Sequence, residues 1–154
     1  MADHTYRVHV EWTGNTGEGT ASYRSYGRDH RIAIEGKPDL LASSDPSFRG
    51  DPSRHNPEDL LVAALSGCHL LWYLHECSTA GAVVVSYRDE AVGTMVTDRD
   101  GGRFSEVVLR PVVEVTDESM IPAAIEAHER AHAQCFIANS VNFPVRHEPT
   151  VTSA

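Results

Sequence analysis

Basic charge is scarce in this chain. Its 154 residues carry 13 Lys and Arg against 22 Asp and Glu, a formal net charge of −9. The electrostatic footprint of a nucleic-acid binder is therefore missing. The acidic balance favours solubility and names no partner. No uninterrupted apolar run approaches the roughly 18 residues of a membrane span, so no membrane association is expected. The opening Met1-Ala2-Asp3-His4-Thr5-Tyr6 has neither the basic nor the apolar region of a signal peptide, which makes the cytoplasm the expected compartment. Cysteine is sparse as well. Cys68, Cys77 and Cys135 stand nine and 58 residues apart, spacings that fit no C-x-x-C zinc pattern. Cytoplasmic disulfides, where they occur, are usually transient and catalytic.

No repeat, low-complexity tract or linker divides the chain, so residues 1–154 are expected to form a single domain, long enough to bury a core without metal or disulfide staples. Tyr6, Val8, Val10 and Trp12 alternate with Arg7, His9 and Glu11, the pattern of a half-buried strand. Thr20–Tyr26 and Arg31–Glu35 read as two further strands of a meander. Residues 37–55 read as a loop, and a loop of that length in a compact domain is more often functional than idle. Asn56-Pro57-Glu58-Asp59 is a helix start: a capping side chain, a proline for the first position, and two acids at the positive end of the dipole. The segment Leu60–Cys77 is apolar on nearly every side, which predicts a helix buried in the core or packed on a second copy of itself. Gly81 ends it. Val83–Val96 and Arg103–Thr116 read as long strands around a turn at Asp98–Gly102. Ser119–Ala133 reads as a second helix with Pro122 in its first turn, and Phe143–Val151 as a last strand. The order β-β-β-α-β-β-α-β is an α+β pattern.

Cys68 sits three turns into the first helix among Ala63-Ala64-Leu65-Ser66-Gly67-Cys68-His69. Taken alone it reads as a small core residue, since free cysteines are among the most buried side chains. Its small neighbours, however, leave room for a substrate or another chain. A reactive thiolate also needs a cation beside it. Cys135, at the end of the second helix, offers a resolving thiol, because a sulfenic acid condenses with a thiol to a disulfide. Cys77 lies half a helical turn round from Cys68 and reads as structural. Glu58 suits a helix N-terminus, and it could equally clamp an arginine that reaches Cys68. His128-Glu129-Arg130-Ala131-His132 is a literal H-E-x-x-H, the two-ligand motif of zinc hydrolases, but nothing after it completes the ligand set of the longer metzincin motif. The plainer reading places these residues on the polar face of the helix.

The stretches Asn56-Pro57-Glu58-Asp59-Leu60-Leu61-Val62-Ala63-Ala64-Leu65-Ser66-Gly67-Cys68-His69 and Ala131-His132-Ala133-Gln134-Cys135-Phe136-Ile137-Ala138-Asn139-Ser140-Val141 together resemble the OsmC/Ohr family of thiol-dependent peroxidases. The resemblance covers nearly the whole chain. It implies an antiparallel sheet with a buried central helix and an intertwined homodimer. It implies reduction of organic hydroperoxides with Cys68 as peroxidatic cysteine, Cys135 as resolving cysteine and Glu58 as partner of an essential arginine. It also implies recycling by a dithiol or a lipoylated protein. That arginine falls on Arg28 if the chain follows the Ohr pattern and on Arg49 if it follows the OsmC pattern. Arg49 is favoured, because its loop leads straight into the helix start that carries Glu58. His69 departs from the family, whose members carry an apolar residue there. The reading calls for no cofactor and no metal. Its competitors are a hydroperoxide-responsive or small-ligand-binding protein on the same fold and, behind that, a zinc hydrolase.

Overall fold

A computed structural model describes residues 1–154, and its contacts divide into two units, residues 1–60 and residues 61–154. The first unit is built on an antiparallel sheet of β1 (His9–Trp12), β2 (His30–Ala33) and β3 (Leu40–Ala42), in that order. Val10 pairs with Ile32, and Arg31 with Leu41. The alternation at Val10 and Trp12 does make a strand. Yet all four residues of β1 are exposed, where a half-buried strand was expected.

Thr20–Tyr26, expected as a strand, is a series of turns with a single bridge from Tyr26 to Asn15. Short polar side chains take the backbone bonds that a ladder would have used. Asn15 Oδ1 accepts from the N–H groups of Gly17 and Gly19 at 2.9 and 3.1 Å, and Ser25 Oγ accepts from Ser22 N–H at 2.9 Å. At the root of this excursion Gly27 N–H donates to Gly14 C=O at 2.7 Å. A Cβ at Gly14 would overlap the Gly27 carbonyl, so the two segments meet only because residue 14 is glycine. The expected loop 37–55 is likewise more ordered than its composition suggests. It holds β3 and a 3-10 turn, Pro46–Phe48, whose cap Asp45 accepts from Ser47 N–H at 2.7 Å.

The long helix α1, Pro57–Ala80, begins and ends where the sequence signals stand. Asn56 Oδ1 accepts from Asp59 N–H at 2.8 Å. At the other end Gly81 takes the left-handed conformation, φ 76°, and Ala82 N–H donates to Cys77 C=O at 2.9 Å. Leu65, His69, Tyr73, Glu76 and Cys77 form its buried face. On the other side Leu71 is 69% exposed and Leu74 40%. By length and composition alone α1 could cross a membrane. Its buried face, however, is engaged by the sheets and second helix of residues 61–154.

The two long strands predicted after α1 are four: β4 (Val84–Asp89), β5 (Val92–Asp98), β6 (Gly101–Leu109) and β7 (Pro111–Val115). The breaks share one carboxylate. Asp89 accepts from Arg110 N–H at 2.7 Å, holding the N–H at the β6–β7 corner, and from Ser66 Oγ of α1 at 2.6 Å. The second helix, α2, covers Ile121–Gln134 and is preceded by a 3-10 turn capped by Asp117. The expected final strand is broken at Pro149 into β8 (Val145–His147) and β9 (Thr150–Ser153). Strand orders are β4-β7-β9 and β5-β6-β8. The α+β class holds. The sheets are mixed rather than antiparallel, because β8 pairs parallel with β6 and β9 parallel with β7. α2 supplies the crossover that parallel pairing requires.

α2 packs on α1 through Ala124, Ala127 and Ala131, all fully buried against Tyr73, Cys77, Val113 and Val115. A second cluster joins Leu65 of α1 to Val107 and Leu109. These alanines fill the seam with no atom beyond Cβ, so enlarging the middle one should push α2 off. Ala127→Leu is expected to destabilise the fold by about 1–3 kcal/mol, read as a lower urea midpoint with an unchanged slope.

Candidate functional site

Cys68 lies half-buried on α1, and Cys135 is the residue at which α2 ends. Cys135 leaves the helix at φ −64°, ψ 110°, which turns its side chain out of the helical repeat. The two thiols are near enough for Cys68 to act on the titration of Cys135, and both are free. Cys135 is 2% exposed. Burial pushes its thiol up to about 11, an effect opposed by Ala138 N–H, 3.5 Å from the sulfur, and reinforced by the Cys68 thiol. Cys77 is buried on the other face of α1, and its thiol too is pushed up by burial. The structural role read from its helical angle agrees with that placement.

Cys68 opens onto an apolar hollow of about 340 Å³, lined also by Leu71, Trp72, His75 and Phe136. Cys68, Leu71, Trp72 and His75 stand at i, i+3, i+4 and i+7, one stripe of α1. Phe136 follows Cys135 directly. Trp72 meets Phe136 edge-on at 5.3 Å between ring centroids and His75 at 5.7 Å.

The remaining expected site residues belong to residues 1–60. Glu58 is in the first turn of α1, with its Oε2 buried and without a hydrogen-bond partner. Arg49 is exposed, closes the 3-10 turn at φ 65°, and has its guanidinium 6.0 Å from the Tyr23 ring centroid. Arg28 is committed to its own loop. It donates to the carbonyls of Tyr26 and Tyr23 and lies over both of their rings, at 3.9 and 4.5 Å.

The H-E-x-x-H residues are not spread along a polar face. His128 is fully buried, and its Nδ1 is 3.0 Å from Nε2 of His69, with the rings nearly coplanar. Its ring stacks on Tyr73 at 3.9 Å. Glu129 Oε1 instead meets His147 Nε2 at 3.0 Å, and the His132 ring lies 5.4 Å from that of His147. No group of three His, Cys, Asp or Glu side chains is disposed to hold a metal ion. The zinc-hydrolase reading thus has no geometric support. The sequence did carry a signal for the histidine pair: His69 shares the i, i+4 stripe with Leu65 and Tyr73, and His128 that of Ala124 and Ala131.

A family model described as OsmC-like protein matches residues 50–150. No curated protein matches the chain in sequence. An OsmC-like protein of unknown function from Vibrio cholerae is 32% identical, with a TM-score of 0.85 over 96% of this chain and 100% of that one. An organic hydroperoxide resistance protein from Legionella pneumophila is 15% identical, with a TM-score of 0.70, all of both chains being covered. One from Elizabethkingia anophelis is 18% identical, with a TM-score of 0.69 over 99% of this chain and 100% of that one. These last two show the fold alone. An α+β fold with two cysteines meeting across its helices is the class to which the structure points. The chain belongs to the OsmC-like family.

The buried histidines make stability depend on pH. Burial, with His147 as a like charge, lowers His69 to about 4 and His128 to about 3 from a usual value near 6.5. Above pH 6.5 both are neutral whether the chain is folded or not, and they add no pH dependence. Below it the unfolded chain takes up protons that the folded chain refuses, so stability falls as pH falls. The slope is about 1.4 kcal/mol per pH unit for each histidine. Urea unfolding at pH 7 and pH 5 is expected to show that loss, and His128→Phe should reduce the slope.

Proposed function

We propose that this protein is a thiol peroxidase that reduces organic hydroperoxides in the cytoplasm. Family membership supports a redox, peroxide-related role. The observation that carries the finer reading is the nearness of the Cys68 and Cys135 thiols, with Cys68 bordering an apolar hollow. Cys68 is accessible and borders the hollow, which makes it the nucleophile. Cys135 is closed off, which suits a thiol that acts second.

In the first step the Cys68 thiolate attacks the terminal oxygen of the hydroperoxide, R–O–OH. The O–O bond breaks, the sulfur takes the OH as a sulfenic acid, and the alkoxide leaves to take a proton as the alcohol. In the second step Cys135 attacks the sulfenic sulfur, and water leaves as the 68–135 disulfide forms. A dithiol or a lipoylated protein then restores both thiols by exchange. The lining of Leu71, Trp72 and Phe136 suits the organic group R and offers hydrogen peroxide little to hold. An arginine is the expected partner of the thiolate, Arg49 in preference to Arg28, which bonds two carbonyls of its own loop. Glu58, with an oxygen still lacking a partner, orients it. The exposed Leu71 and Leu74 support a homodimer in which a second copy covers this side of α1.

Under dithiol recycling the wild-type protein should consume an organic hydroperoxide faster than hydrogen peroxide. Cys68→Ser should abolish turnover with the fold intact, and near-normal turnover would sink the assignment. Arg49→Ala should slow peroxide reduction strongly and Glu58→Ala less. Normal rates in both Arg49→Ala and Arg28→Ala would remove the arginine from the mechanism. Sedimentation of a folded monomer at micromolar concentration would remove the dimer.

A further inference from the structure

Outside the thiol pair, the tightest polar tie between α1 and α2 is made by Glu76. Its carboxylate is about nine-tenths buried, and each oxygen has one partner on α2. Arg130 Nε donates to Oε2 at 2.8 Å and Gln134 Nε2 to Oε1 at 2.6 Å. Arg130 and Gln134 are one helical turn apart, so a single carboxylate grips the last turn of α2 at two points. Gln134 is the final residue of α2, and Cys135 follows it. The other side-chain bond to that turn, from Asn139 Nδ2 to Ala133 C=O at 3.1 Å, does not reach α1. The alanine contacts at Ala124, Ala127 and Ala131 are apolar and tolerate sliding along the groove, whereas two hydrogen bonds to one buried carboxylate define a register.

We infer that Glu76 is a positioning residue that, through Arg130 and Gln134, holds Cys135 at the sulfur of Cys68 for disulfide formation. The inference rests on the peroxidase reading above. The step it governs is Cys68–SOH + HS–Cys135 → Cys68–S–S–Cys135 + H₂O. Its hold on the first step is only indirect, through Phe136 in the wall of the hollow, because Cys68 itself stands on α1 and its attack on the hydroperoxide uses no polar group of α2. A displacement of about 1 Å in a reacting group costs on the order of a hundredfold in rate, so a loosened helix end slows the second step selectively. Sulfenic acid that waits longer for its thiol is open to further oxidation by excess hydroperoxide, to the sulfinic acid.

The test uses full-length protein with cumene hydroperoxide and no recycling thiol. Sulfenic acid at Cys68 and the 68–135 disulfide are followed separately by quenched trapping and mass spectrometry. Wild type must yield both species after one equivalent; if it yields neither, the peroxidase reading fails and this inference with it. In Glu76→Gln and Gln134→Ala the sulfenic acid should form within about twofold of the wild-type rate. The disulfide should form about tenfold or more slowly, with sulfinic acid accumulating under excess hydroperoxide. Gln134 is exposed, so Gln134→Ala carries the test if Glu76→Gln does not fold. Disulfide formation at the wild-type rate in the folded variants overturns the inference. So does a parallel slowing of both steps, which is the mark of general loosening.

Discussion

The packing of α2 against the side chains of α1 and β7 is the constraint on which most of residues 61–154 depends. Ala124, Ala127 and Ala131 have no side chain beyond Cβ, so Tyr73 and Cys77 of α1 and Val113 and Val115 of β7 pack directly on α2. Three further contacts join the two helices. His69 meets His128, the Glu76 carboxylate reaches Arg130 and Gln134, and the thiol at the end of α2 meets the one on α1. The same docking returns the chain in the direction that lets β8 and β9 run parallel to β6 and β7. A larger side chain on that alanine face would therefore disturb the sheet, the histidine pair and the thiol pair together.

Three cysteines in one short chain have three different surroundings, and the differences follow from position rather than from residue type. Cys77 is sealed among apolar side chains and Tyr73. Cys135 is sealed too, but it sits where a helix has ended and backbone N–H groups point at the sulfur. Cys68 alone borders open space. Of these positions only the angular separation of Cys68 and Cys77 could be derived from helical geometry. The proximity of Cys68 to Cys135 came from the likeness of two sequence stretches to a family, since 66 residues of sheet and helix intervene and no local rule spans them.

Local signals were legible wherever the backbone answered to its immediate neighbours. Asn56 and Pro57 start α1, Gly81 stops it, and Pro122 stands in the first turn of α2, all as read from sequence. Legibility failed where a side chain from far along the chain decided the outcome. Val83–Val96 and Arg103–Thr116 each look continuous, but Asp89 holds Arg110 N–H at a corner and splits them. Thr20–Tyr26 has the β-formers of a strand, and short polar side chains divert it into turns. His128 reads as part of a polar face because Glu129, Arg130 and His132 stand beside it in sequence. Its hydrogen bond to His69, 59 residues away, makes it a core residue.

The edge-on contacts of Trp72 with Phe136 and His75 place one of the two tryptophans against the wall of the Cys68 hollow, while Trp12 donates its indole N–H to Gly27 C=O in the other unit. A disulfide beside an indole quenches its emission. The protein thus carries an indole where formation of the 68–135 disulfide would be read as a change in its light, without any attached dye.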